Sequence, residues 1–72
     1  MAENEIARRF RTVTPTTGQA AAITDLRAAV MALAMTLEEI CEPSRETSLA
    51  LTHLEESMMW VTKSITHNGI RQ

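Results

Sequence analysis

Two short stretches of this chain carry side chains suited to holding a phosphate. The first is Arg8-Arg9-Phe10-Arg11-Thr12-Val13-Thr14, which continues through Pro15 into Thr16, Thr17, Gly18 and Gln19. Guanidiniums, hydroxyls and an aromatic ring at this spacing offer charge-assisted bonds to phosphate oxygens and a face on which a base can stack. The second is Ser44-Arg45, which follows Pro43 at the start of a helical stretch. Free backbone N–H groups and the helix dipole favour an anion there, and Arg45 adds a planar, permanently charged fork. Each stretch also has a plain structural explanation. A basic N-terminal segment is commonly a solvated tail, and Arg45 can pair with Glu42, Glu46 or a neighbouring molecule's glutamate. Trp60 can stack on a base, although a tryptophan one residue from an apolar seam is more often a packing anchor. The basic C-terminal stretch of Lys63, Thr66, His67 and Arg71 is explained by the helix dipole alone.

Catalysis finds no constellation. Glu55 and Glu56 are adjacent on a helix, point about 100° apart and cannot flank one bond. His53 and His67 lie roughly 21 Å apart by helical rise, too far to share a metal ion. Cys41 has no identifiable base beside it, and Gly18 is a lone glycine rather than a phosphate loop. The chain is therefore expected to be neither an enzyme nor a metalloprotein, and to need no cofactor.

The elements that must position these residues are two long helices. Thr16, with Gln19 three residues on, fits a capping box, and Thr17 is the alternative cap. From there to about Cys41 good helix formers dominate. Ile23, Leu26, Val30, Leu33, Leu37 and Ile40 repeat at spacings of 3, 4, 3, 4 and 3, a seam of the coiled-coil type. Glu42-Pro43 ends that helix and Ser44 caps the next. The second seam is Leu51, Leu54, Met58, Val61 and Ile65, and Asn68-Gly69 supplies the stop. Two long helices joined so tightly must fold back antiparallel. The expected fold is all-α: an N-terminal arm over 1–13 and a helical hairpin over 14–72, with helices at about 17–41 and 44–67. The arm itself is compatible with an extended strand of chain, a short helix at 3–9, or disorder.

With 72 residues and one cysteine, such a chain has little core and no internal disulfide to stabilise it, and Cys41 is expected as a buried thiol. Apolar residues lie off the seams as well: Met31 and Met35 on the first helix, Leu49, Met59 and Trp60 on the second. A lone hairpin would leave them in water, so self-association is expected. Seven Lys/Arg against nine Asp/Glu give a formal charge of −2, which argues against general attraction to DNA, RNA or anionic membranes. No uninterrupted apolar run approaches a membrane span and no secretory signal is recognisable, which points to a soluble cytoplasmic protein.

Ser44-Arg45-Glu46, Ser48-Leu49-Ala50-Leu51-Thr52, Leu54-Glu55-Glu56 and Met59-Trp60 together resemble the helical-hairpin cyclic-nucleotide sponges of phages, the anti-CBASS and anti-Thoeris proteins. A looser likeness runs through Phe10, Pro15, Gly18, Gln19 and Arg27. The resemblance implies a homohexamer of hairpins in the host bacterial cytoplasm that sequesters cyclic dinucleotides between protomers without cleaving them. Some members hold cyclic trinucleotides or cyclic ADP-ribose isomers at other sites. It also implies that Arg45, Arg9, Phe10, Arg11, Thr12 and Thr14 hold phosphates or bases, and that Thr16, Thr17, Gly18 and Gln19 line the pocket. Arg8 and Lys63 are secondary candidates. The chain departs from the family where many members carry a tyrosine, at Thr12, and where Val61-Thr62 and Ile65-Thr66-His67 replace the common Ala-Asn and Ile-Ala-Arg. The rival expectation is a hairpin that docks a host protein helix and binds no nucleotide.

Overall fold

The computed structural model describes residues 4–71; residues 1–3 of the expected arm, and Gln72, lie outside them. Three helices and no strand occupy that span: α1 (Glu5–Phe10), α2 (Thr17–Ile40) and α3 (Arg45–Asn68). Of the three conformations open to the arm, the structure takes the short helix, followed by extended chain from Arg11 to Thr16.

Local chemistry sets the element ends. The Thr16 capping box is formed: the Gln19 backbone N–H donates to Thr16 Oγ1 at 3.1 Å, and the Thr16 N–H donates to Gln19 Oε1 at 3.0 Å. At the hairpin turn the Thr47 N–H donates to Ser44 Oγ at 3.1 Å, while Thr47 Oγ1 donates to the Glu42 carbonyl at 2.7 Å. The turn is thus tied on both sides of Pro43 by one threonine. α3 stops at Gly69, whose φ of +89° strains any other residue, and whose N–H donates to the Ile65 carbonyl at 2.9 Å.

α2 packs on α3, and the core between them is small. Among the described residues Ile23, Met58 and Ile65 are buried, with Ala22, Val30 and Val61 packed against them. The seam of α3 is covered along its length, Leu51, Leu54 and Val61 being half-buried around Met58 and Ile65. The seam of α2 is only half used. Ile23 is buried and Val30 and Leu37 are half-buried, but Leu26, Leu33 and Ile40 are 42%, 54% and 78% exposed. The heptad spacing marks an apolar face wider than one partner helix can cover; alternate seam positions point past α3 into solvent. Cys41, expected to be buried, is exposed, because it caps α2 at the outer end of the hairpin where nothing packs over the turn.

The result is elongated, 52 × 26 × 18 Å, with 6049 Å² of accessible surface. A compact monomer of 8.0 kDa would expose about 4,500 Å². By length and composition alone α2 is also apolar enough to cross a membrane, an 18-residue window of it having a mean hydropathy of 1.5. The expectation of no span rests on the lack of an unbroken apolar run, and polar residues such as Thr24, Asp25 and Arg27 interrupt this one. An all-round apolar helix meets the same criterion when other protein surrounds it.

Candidate functional site

The antiparallel fold separates the two phosphate-binding stretches. Arg45 stands at the first turn of α3, next to the hairpin turn, whereas the arm and the start of α2 lie at the opposite, open end. Helical rise puts Arg45 about 27 Å from Lys63, so one chain cannot bring Arg45 and the arm to one small ligand. Arg45 is exposed, and among the described residues it has no carboxylate at ion-pair distance. The pairing with Glu42 or Glu46 that would make it purely structural is therefore not formed within the chain.

At the open end a cleft of about 540 Å³ separates α1 from the last turns of α3. Glu5, Arg8, Arg9 and Phe10 line it from α1. Trp60, Lys63, Ser64, His67 and Asn68 line it from α3. These α3 positions recur at spacings of three and four, which places them on one helix face.

α1 is too short to be stable alone, and three contacts hold it. Asn4 caps it, its Oδ1 accepting from the Ala7 N–H at 2.8 Å. Arg9 Nε donates to Glu5 Oε1 at 2.9 Å, one turn away. Lys63 Nζ reaches across from α3 and donates to the Arg9 carbonyl at 2.8 Å. The Arg9 hydrogen bond, then the charges of Arg9 and Arg8, hold the Glu5 carboxyl below its ordinary value of 4.5. Lys63 keeps two further donors after this contact, and Arg9 keeps its terminal guanidinium nitrogens. Arg8 has no carboxylate at ion-pair distance among the described residues. The described residues of the cleft therefore carry net positive charge in a chain that is negative overall.

Of the ten site residues expected from the sequence, only Arg9 and Phe10 line this cleft. Arg11, Thr12 and Thr14 are exposed on the extended connection, and Thr17 and Gly18 are exposed on the first turn of α2. A Cβ at Gly18 would meet nothing within 4 Å, so the chain's own packing does not demand glycine there. Thr16 and Gln19 are engaged with each other in the cap. Trp60, read as a packing anchor, is instead 64% exposed, its indole N–H making a long contact of 3.4 Å to Glu56 Oε1. Ser64 and Asn68 were missed. Their spacing from Trp60 was available in the sequence, but nothing marked that face as the one α1 would lie across. Lys63 had been a secondary candidate; its link to Arg9 spans 54 positions and no local pattern encodes it.

No curated protein and no solved structure matches the chain. The family model of the Acb2/Tad1 hairpin domain, by contrast, matches residues 2–66, a stretch that takes in α1, the connection, α2 and nearly all of α3. The chain therefore belongs to the Acb2/Tad1 hairpin-domain family, the phage cyclic-nucleotide sponges of anti-CBASS and anti-Thoeris type.

Proposed function

We propose that this chain is a phage anti-defence protein of the host bacterial cytoplasm that binds cyclic oligonucleotide messengers and withholds them uncleaved from CBASS-type effectors. Cyclic dinucleotides are the primary ligand class and cyclic trinucleotides the second. The observation that carries the reading is an open end rich in guanidiniums, hydroxyls and exposed aromatic surface, in a member of this family. Arg9, Arg11, Thr12 and Thr14 contact phosphates from the arm; Thr17 and Gly18 present a hydroxyl and open backbone at the first turn of α2.

Arg45 joins them from a different protomer. The distance from Arg45 to the arm within one hairpin supports a homo-oligomer, a hexamer by family analogy, in which the closed end of one hairpin meets the open end of another. The surface supports it too: the chain exposes about 1,500 Å² more than a compact monomer of its mass, enough for one or two standard contacts per protomer. Leu26, Leu33, Ile40, Met31 and Met35 provide the apolar part of that surface.

Calorimetric titration of the full chain with cyclic dinucleotides, cyclic trinucleotides and cyclic ADP-ribose isomers tests the function. Tight, saturable heat with ligand recovered intact from the denatured complex is the expected result. Recovery of linear products would make the protein a hydrolase. An absence of heat across the panel would favour the alternative in which the exposed face of α2 docks a host protein helix.

A further inference from the structure

The chain contains one phenylalanine, one tryptophan and no tyrosine. Both aromatic side chains line the same cleft, and both are solvent-exposed, Phe10 at 82% and Trp60 at 64%. Aromatic side chains usually anchor packing, and in this chain that work is done by aliphatic residues and Met58 instead. Among the described residues, the cleft around them holds three of the seven Lys/Arg side chains, Arg8, Arg9 and Lys63, against one carboxylate, Glu5, which is already bonded to Arg9. A π-face flanked by cations with unused donors suits a planar, electron-poor heterocycle attached to a phosphate. Its volume of about 540 Å³ is within the range of small-molecule sites. A purely apolar partner would leave the cations without counter-charge, which disfavours a hydrophobic helix as occupant.

We propose that the cleft between α1 and the last turns of α3 is a nucleobase subsite, with the Trp60 indole as its stacking platform and Arg8 and Lys63 facing the adjoining phosphate. This rests on the cyclic-oligonucleotide reading and adds to it a base-contacting residue on α3, outside the arm and the helix starts. It assigns Lys63 two roles: one N–H holds the Arg9 carbonyl and keeps the arm over the cleft, and the remaining donors meet the ligand. The subsite lies within one protomer, so it survives whatever arrangement the copies adopt, provided no neighbour fills it.

Because Trp60 is the chain's one tryptophan and there is no tyrosine, the emission comes from its indole, which borders this cleft and a smaller pocket beside His53, Glu56 and Ser57. The full chain is titrated with cyclic di-AMP, cyclic di-GMP and cyclic tri-AMP, following heat and emission in parallel. Emission is expected to quench in step with the heat. W60L is expected to weaken binding roughly tenfold, W60F to bind nearly as the parent does, and R8Q to weaken binding and flatten its salt dependence. Trp60 is exposed, so these variants are expected to keep the parent's circular dichroism. Heat with unchanged emission, together with parental affinity in W60L, overturns the subsite and leaves the sponge reading standing. No heat in the parent overturns both. Emission that shifts with protein concentration before any ligand is added, and then does not respond to ligand, makes the cleft a contact between copies and also overturns the subsite.

Discussion

α2 and α3 have the same length, 24 residues, and opposite degrees of completion. α3 is amphipathic: its five seam residues lie against α2, and polar side chains cover most of its outer face. α2 is apolar nearly all round, and the hairpin covers only the stripe through Ile23, Val30 and Leu37. One hairpin covers the seam of α3, though Leu49, Met59 and Trp60 stay exposed, and leaves more of α2 uncovered. The larger share of the apolar surface that the hairpin leaves uncovered, at Leu26, Met31, Leu33, Met35 and Ile40, lies on α2.

The largest expected effect comes from the shared core, where both helices depend on the same few side chains. Ile65→Ala or Met58→Ala should destabilise the fold by about 2–5 kcal/mol, read as a shift of the denaturant midpoint at fixed protein concentration. With three buried side chains among the described residues, such a loss leaves little folded protein. The second effect separates the two helices. Leu33→Glu, on the uncovered face of α2, should keep its helical circular dichroism and lose assembly. A leucine buried in an interface contributes about 1.5–3 kcal/mol, so sedimentation velocity should show association weakened roughly tenfold or more. Thr52→Glu, on the outer face of α3, should sediment as the parent does. Equal behaviour of the two variants would remove the asymmetry between the helices.

Smaller effects sharpen the comparison at the helix ends. Thr16→Ala removes the cap of α2 and should cost about 1 kcal/mol, seen as a lower denaturant midpoint. The Glu5–Arg9 pair should matter only for the arm. Glu5 titrates below its ordinary value of 4.5 in the folded state, so its support of α1 is present above pH 4.5 and lost as the pH falls through the lowered value. The amide protection of α1 should therefore drop in acid before that of α2 and α3, and Glu5→Gln should abolish the pH dependence without moving the hairpin's stability.

Much of the hairpin was legible in the sequence because its determinants are local. Thr16 and Gln19 sit three apart, Pro43 breaks the helix before it, Ser44 caps the next, and Gly69 takes a backbone angle other residues avoid. The α3 seam was legible because an amphipathic helix shows its buried face directly. The α2 seam was not, since periodicity identifies an apolar face but not how many partners share it. Exposure of Leu26, Leu33, Ile40 and Cys41 depends on what packs from outside the hairpin. The open-end cleft was legible only in its parts. Arg9 and Phe10 were picked out by type, whereas their meeting with Trp60 and Lys63 depends on a short helix being drawn across α3 by a contact 54 positions away.

Native mass spectrometry of the full chain, with and without a cyclic dinucleotide, tests most directly whether copies complete α2 and create the binding sites. A single assembly of six chains, carrying ligand that is released intact, is the predicted result. A monomer in both spectra, with no ligand retained, would contradict it.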